Sequence, residues 1–242
     1  MPSDLTAPTQ PAVPATRHTA RPPLWLVVVA AVLLIATTAD VHFSGGLYHF
    51  DIDLGRRLHA WDLRHHLVAE IPLRGLVLFG QRAVVFVLVL VFFGWLAYRA
   101  HASEPLVRLA VALIGIAVLV YALKFTVTRL APIDYFGHHP GAPKRSYPSG
   151  HMANAVALWG LVLFAAIRWH LPPRAVAVAN LLRWVAPVAV GLGMILLDYH
   201  WVSDMIGGAA IGVLVLALAV ADIWIGLSAR IDARWIRPRR DR

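Results

Sequence analysis

Six long apolar runs constrain the fold of this 242-residue chain more than any other feature of its sequence. Hydrophobic residues make up 59% of the chain, charged residues make up only 14%, and the mean hydropathy is +0.67. A soluble domain of this size cannot bury so much apolar surface, whereas about 20 consecutive apolar residues span a bilayer as a helix. We therefore predict an all-α integral membrane protein built as a six-helix bundle. The predicted spans cover residues 24–39, 106–125, 150–169, 184–197 and 202–227, and the second span is centred on residues 83–98 with a start near Pro72.

The segments outside these runs indicate the domain organisation. Residues 1–23 are rich in Pro, Thr and Ala and lack an apolar period, which predicts a disordered cytoplasmic tail. The first apolar run is also similar to a secretory signal peptide with a basic flank, but the further spans favour a retained membrane helix. We predict one membrane domain over residues 24–228 and a basic cytoplasmic tail over residues 229–242.

The placement of the basic residues predicts the orientation of the chain. The net charge is +9, which in a soluble protein would suggest nucleic-acid binding. Here about 13 of the 22 Lys and Arg residues lie on one side of the six-span arrangement, which fits the positive-inside rule. We therefore predict a multi-pass protein of the cytoplasmic membrane, with both termini cytoplasmic and no nucleic-acid partner. The chain has no cysteine, which excludes thiol catalysis and disulfides.

The polar segment between the first two spans has two features. Apolar residues recur at helical spacing between positions 54 and 61, which predicts a short helix in the membrane interface. Three potential metal ligands, His59, Asp62 and His66, fall on one face of such a helix. Neighbouring arginines crowd that face with positive charge, so we predict no metal site there.

The tetrapeptide Pro148-Ser149-Gly150-His151 opens the fourth span. The first N–H groups of a helix lack intrahelical partners and carry the positive end of the helix dipole, which favours an anion such as phosphate. His151 is placed to transfer a proton to or from that anion. The alternative for Ser149 is a purely structural N-cap.

Polar residues at the ends of other spans converge on the same predicted face. His200 and Asp204 have i, i+4 spacing, which predicts a hydrogen bond from the imidazole Nδ1 to the carboxylate and leaves Nε2 as a nucleophile. Lys124 and Arg129 lie at the end of the third span, and Arg145 precedes the tetrapeptide. Each has a structural alternative, such as an aromatic-belt role for His200 or a snorkelling helix end for Lys124. Their arrival on one membrane face favours a single site.

At these positions the sequence resembles the type-2 phosphatidic acid phosphatase superfamily, which includes bacterial lipid phosphatases and vanadium haloperoxidases. The family pattern has a Lys followed by Arg-Pro, then Pro-Ser-Gly-His, then Ser-Arg followed by His-x-x-x-Asp. Lys124 and Pro132 match the ends of the first motif. Residues 146–151 match the second motif, and His200 with Asp204 matches the last.

The resemblance implies a function and a set of roles. It implies hydrolysis of a lipid or polyprenyl phosphate or diphosphate through a phosphohistidine at the extracytoplasmic face of the membrane, without metal or cofactor. His200 would be the nucleophile, Asp204 its orienting carboxylate and His151 the acid that protonates the leaving oxygen. The groups that would hold the phosphate oxygens are Lys124, Ser149 and the N–H of Gly150.

Two arginines of the family pattern are absent from this chain. The Arg of the first motif corresponds to Ala131, and the Ser-Arg pair corresponds to Gly193 and Met194. We predict that Arg145 or Arg129 binds phosphate in their place, with Arg145 favoured because its planar fork can reach back over the site. The absences also favour one alternative, a catalytically silent lipid-phosphate binding protein. A lipid phosphotransferase and a transporter are further alternatives, and the sequence leaves the oligomeric state open.

Overall fold

The computed structural model describes residues 21–137 and 145–235, and these residues form helices joined by short turns. The N-terminal residues of the predicted tail over 1–23 and the end of the predicted tail over 229–242 lie outside the described residues. A single isolated bridge between Leu130 and Arg145 is the only β-type pairing in the described part of the chain. The helices are α1 (Leu24–His42), α2 (Gly46–His59), α3 (Leu67–Val77), α4 (Arg82–Ala100), α5 (Glu104–Thr126), α6 (Pro132–Phe136), α7 (Gly150–Arg168), α8 (Pro173–Leu196), α9 (Val202–Ala219) and α10 (Ile223–Trp235).

The predicted all-α fold with six membrane spans is confirmed. Within the described residues, six helical segments are long and apolar enough to cross a membrane, the second of them running from α3 into α4. The predicted interfacial helix corresponds to α2, whose buried residues include Asp51, Ile52 and Gly55. No membrane-crossing segment lies between α1 and α3, so α2 leads from one span to the next along one end of the bundle.

Two predicted helix boundaries are wrong. The fifth span begins at Pro173 instead of residue 184, because proline at the first helical position lacks only an N–H that has no partner there anyway. The sixth span ends at Ala219, and a short turn separates it from α10. Residues 229–235, assigned from the sequence to a basic tail, therefore belong to the last helix.

Helices α7 and α9 form the centre of the bundle. About 72% of the apolar window of α7 and 61% of that of α9 are buried, against 17–28% for the other spans. Small residues allow this close packing: a Cβ on Gly208 would lie 2.4 Å from the carbonyl oxygen of Ser149, and one on Gly212 would lie 2.6 Å from Cβ of Val156. Gly208 and Gly212 therefore serve the close packing of α9 against α7.

The two ends of the bundle carry different polar groups. At one end Arg21, just before α1, forms an ion pair with Asp222, which follows α9. At the same end Arg108 is fully buried and donates to the carbonyl oxygens of Ala219 and Ala221 at 2.9 and 3.0 Å. The histidines of the predicted site lie at the opposite end, where α5 and α8 end and α7 and α9 begin.

Candidate active site

His200 and Asp204 form a buried pair where α8 turns into α9. The predicted hydrogen bond is present: Nδ1 of His200 lies 3.0 Å from Oδ2 of Asp204. His200 precedes α9 instead of lying in it, and Asp204 is the third helical residue, so the contact arises at the helix cap. The same Oδ2 accepts the backbone N–H of Trp201 at 3.0 Å. These two donors fix the carboxylate and leave Nε2 of His200 available for chemistry.

The first residues of α7 lie directly against this pair. Ser149 is fully buried, and its Oγ accepts the N–H of Met152 at 3.3 Å, which makes it the N-cap of α7. Its own N–H donates to the carbonyl oxygen of Asp204 at 3.0 Å and so joins α7 to α9. The Ser149 side chain does not line the main cavity, whereas Gly150 and His151 do. The structure therefore favours the capping role for Ser149 over the predicted phosphate contact.

A cavity of about 650 Å³ opens in front of the two histidines. The ring centroids of His151 and His200 lie 6.4 Å apart, so both imidazoles can reach one phosphoryl group placed in the cavity in front of them. None of the described residues that line the cavity is Asp or Glu. Its cationic side chains are those of Arg74, Arg82, Lys124 and Arg145. A concave site with several cations and no lining carboxylate favours an anion.

Lys124 and Arg145 are linked by reciprocal hydrogen bonds from each side chain to the other residue's backbone carbonyl, at the edge of this cavity. Nζ of Lys124 donates to the carbonyl oxygens of Arg145 and Ser146 at 2.6 and 3.1 Å. Nη1 of Arg145 donates to the carbonyl oxygen of Lys124 at 3.1 Å, and its guanidinium lies 5.3 Å from the centre of the Phe125 ring. Both side chains line the cavity, so the structure brings these two predicted phosphate ligands to the site.

Arg129 lies behind the site and does not line the main cavity. Its Nη1 donates to Oδ2 of Asp51 at 2.8 Å and lies 3.9 Å from Oδ1 of Asp204. The guanidinium is stacked between the rings of Tyr48 and Trp201, each 4.7 Å away. This placement argues against the expected phosphate contact and makes Arg129 a neighbour of the carboxylate that orients His200.

Asp51 is the second carboxylate of this buried cluster, and sequence reasoning missed it. It accepts hydrogen bonds from Arg129 and from the hydroxyl of Ser203, the latter at 2.6 Å. Burial raises the pKa of the Asp51 carboxyl, and the hydroxyl of Ser203 and the charge of Arg129 oppose that rise. The cluster connects α2 to the start of α9 and stabilises the turn that carries His200.

Two histidines at and after the end of α2 have carboxylate partners. Nδ1 of His59 lies 2.8 Å from Oδ2 of Asp198, and His65 pairs with Asp62. No group of three or more His, Asp or Glu side chains within the described residues is arranged to hold a metal ion. Through its contact with Asp198, His59 helps to support the turn before His200.

The fold and site geometry agree with a comparison against known families. The family model described as "PAP2 superfamily" matches residues 105–225, half of the chain. This chain belongs to the PAP2 superfamily. The resemblance drawn from the sequence motifs is thereby confirmed.

Similar proteins agree with this assignment. Phosphatidylglycerophosphatase B of Bacillus subtilis (strain 168) is 31% identical over 75 residues, which cover 30% of this chain and 36% of that protein. Lipid A 1-phosphatase of Porphyromonas gingivalis is 27% identical over 198 residues, which cover 78% of this chain and 36% of that protein. The matches thus span about a third of the length of either relative.

A solved structure shares the fold. The crystal structure of a transmembrane PAP2-type phosphatidylglycerolphosphate phosphatase from Bacillus subtilis superposes with a TM-score of 0.66. The match covers 90% of this chain and 100% of the solved chain at 19% identity. At this identity the likeness concerns the architecture of a membrane helix bundle.

The two departures from the PAP2 pattern both lie on the main cavity. Ala131 and Met194 line it and are 3% and 2% exposed. Two further guanidiniums line the cavity as well, those of Arg74 on α3 and Arg82 on α4. Neither residue belongs to one of the family motifs. The signal in the sequence was the position of these two cations close to the start of the apolar run 83–98, apart from the basic segments that give the positive-inside asymmetry.

Proposed function

We propose that this PAP2 protein hydrolyses a lipid or polyprenyl phosphate or diphosphate through a phosphohistidine, without metal, at the extracytoplasmic surface of the cytoplasmic membrane. The observation that carries the proposal is the pair of histidines, 6.4 Å apart between ring centroids, at a cavity lined by cations. A metal-independent phosphoryl transfer needs a nucleophile, an acid and positive charge around the phosphoryl oxygens. All three are available from side chains at this cavity.

The reaction has two steps. Nε2 of His200 attacks phosphorus and the bond to the lipid oxygen breaks, while His151 donates its proton to that oxygen and releases the lipid alcohol. His151 then takes a proton from water, which attacks phosphorus, and the N–P bond breaks to release inorganic phosphate. Asp204, hydrogen-bonded to Nδ1, stabilises the positive charge on the His200 ring during both steps.

The phosphate oxygens are held by groups at the edge of the cavity. Lys124 has three N–H bonds and uses two of them on backbone carbonyls, which leaves one for the substrate. The N–H of Gly150 belongs to the first turn of α7, where the helix dipole favours negative charge. Arg145 adds a guanidinium at the rim. Ser149 contributes through its cap, which fixes the direction of this first turn.

An apolar cavity next to the site supports a lipid substrate. A second cavity of about 590 Å³ is lined by Gln81, Arg82, Ala83, Phe86 and His151. Ala83 and Phe86 are exposed on the outer face of α4, where the bilayer would surround the helix. An acyl or prenyl chain fits this surface while its phosphate enters the main cavity. The two relatives, a phosphatidylglycerophosphatase and a lipid A phosphatase, agree with this substrate class.

The arginine asymmetry supports the proposed side of the membrane. The end of the bundle with Arg21 and Asp222 also holds the links between α4 and α5 and between α7 and α8, whose flanking arginines favour the cytoplasm for that end. The site at the other end would then face outward. Reporter fusions at both termini test this proposal, and an extracytoplasmic C-terminus would contradict it.

A catalytically silent lipid-phosphate binding protein is the second candidate, since neutral Ala131 and Met194 line the cavity where the PAP2 pattern has guanidiniums. An assay of the purified protein in detergent separates the two. The substrates are phosphatidic acid, phosphatidylglycerol phosphate and undecaprenyl diphosphate, and the control is His200→Ala. Phosphate release from any of them by the unchanged protein alone supports the phosphatase. Binding without release supports the silent protein, and transfer of phosphate to an added lipid alcohol instead of water indicates a phosphotransferase.

A further inference from the structure

The turn between α3 and α4 is held tightly against α7. Asn154 donates from its side-chain amide to the carbonyl oxygen of Gly80 at 3.2 Å, and Trp159 donates from its indole to that of Phe79 at 2.9 Å. A Cβ on Gly80 would lie 2.5 Å from the carbonyl oxygen of His151. The turn therefore lies directly on the backbone of His151, and Arg82, two residues later, begins α4 beside the site.

Helix α3 also packs closely against α8, at Gly193, where the PAP2 pattern has serine. A Cβ on Gly193 would lie 2.8 Å from the carbonyl oxygen of Leu73 and 2.8 Å from a methyl of Val77. A serine at position 193 would therefore force α3 away from α8. Glycine at 193 lets α3 and the following turn pack at the cavity, next to the neutral side chain of Met194.

Arg82 brings a positive charge to the cavity, and no carboxylate among the described residues forms an ion pair with it. In the described part of the chain the hydrogen-bond partner of its side chain is Tyr121, with Nη1 donating to the phenol oxygen at 2.8 Å and the guanidinium 5.4 Å from the ring centre. By contrast, Arg74 forms an ion pair with Glu70 at 2.6 Å. Arg82 also lines both the main cavity and the adjacent apolar one, as His151 does.

The hydrogen bond to Tyr121 uses one N–H of the guanidinium and orients the group. The remaining N–H groups are available to a ligand. We infer that Arg82, in addition to Arg145 at the rim, is a phosphate-binding guanidinium of this site and compensates for the two that positions 131 and 194 lack. It would bind two phosphoryl oxygens at the place where the main cavity, which takes the phosphate, meets the apolar cavity, which takes the lipid chain. This inference rests on the proposed function, since it names a residue that binds the substrate of the same site.

The test compares Arg82→Ala, Arg82→Gln and Arg82→Lys with a matched control, Arg56→Ala, which removes an exposed arginine at the same end of the bundle. Two quantities are measured in detergent: kcat/KM for the lipid phosphate that the unchanged protein hydrolyses best, and the inhibition constant of inorganic phosphate, with the dephosphorylated lipid as the readout. Loss of a charge-assisted contact predicts a fall of about 10- to 100-fold in kcat/KM and a similar weakening of phosphate inhibition. Arg82→Lys should recover only part of both, because the planar fork is lost.

The outcomes separate the inference from the proposed function. If the unchanged protein is active and Arg82→Ala alters both quantities no more than Arg56→Ala does, the inference is wrong and the phosphatase remains. If the unchanged protein shows no turnover, binding of inorganic phosphate by calorimetry still decides the inference. Loss of that binding in Arg82→Gln, which keeps a polar side chain of similar length, supports it, and unchanged binding overturns it.

Discussion

Replacing Arg129 by methionine should destabilise the protein strongly and in a pH-dependent way. The Asp51 and Asp204 side chains that Arg129 faces are both completely buried, at 2.8 and 3.9 Å from Nη1. Removing one partner of a buried ion pair typically costs about 3–5 kcal/mol, because the other charge is left in a poorly solvated site. We expect a loss of that size at pH 7.5.

The pH dependence follows from Asp51. Its pKa is already raised by burial, and without Arg129 it rises further, so the folded variant keeps a proton that the unfolded chain releases. When the folded-state pKa of a carboxyl group is raised, its contribution to the folding stability is fully present below the unfolded-state pKa of about 3.9. That contribution is lost as the pH rises through the folded-state pKa. The deficit of Arg129→Met should therefore be larger at pH 7.5 than at pH 4.5.

Denaturant unfolding in mixed micelles at the two pH values measures this effect. Arg57→Met, which removes an exposed arginine of α2, is the control and should change stability by less than about 0.5 kcal/mol. Adding Asp51→Asn to Arg129→Met should recover part of the loss, since the amide carries no charge to leave unpaired. A deficit below about 1 kcal/mol, or one that does not change between the two pH values, would refute the reasoning.

Three further predictions concern single residues of the site. His151→Ala should slow hydrolysis of an alkyl phosphate more than that of an aryl phosphate, whose leaving group needs less protonation, and equal slowing would exclude His151 as the acid. Ser149→Ala should lower the unfolding free energy by about 1 kcal/mol through loss of the α7 cap, measured by denaturation, with the Michaelis constant nearly unchanged. Gly193→Ser, which restores the residue of the PAP2 pattern, should cost about 1–3 kcal/mol against the backbone of Leu73, and a neutral effect would show that α3 is free to move.

The sequence was sufficient for the spans and for the contact between His200 and Asp204. In a membrane, an apolar run of about 20 residues has few alternatives to a spanning helix. The His-x-x-x-Asp spacing lets a carboxylate in the first turn of a helix reach the residue before the cap. The fifth span was predicted too short because Arg174 and Arg183 interrupt its first half. The structure places both within α8, where the preceding prolines begin the helix.

The residues that sequence reasoning missed depend on contacts between distant parts of the chain. Asp51 meets Ser203 across 152 positions, and no local period links a carboxylate on an interfacial helix to the start of the last span. Arg82 similarly lies directly before the apolar run 83–98, and no local pattern in the sequence links it to His151. Its place beside His151 follows from Gly80 and Gly193, whose missing side chains become informative only when the packing of α3 is known.

The measurement that tests the central claim most directly is trapping of a phosphoenzyme. Purified protein is mixed with lipid phosphate labelled on its phosphoryl group, quenched within a turnover in alkaline detergent and tested for label that is retained on the protein and lost in acid. The proposed chemistry predicts acid-labile label on the unchanged protein, a reduced amount in Asp204→Asn and none in His200→Ala. Acid-labile label that persists in His200→Ala would contradict the account, because another residue would then be the nucleophile.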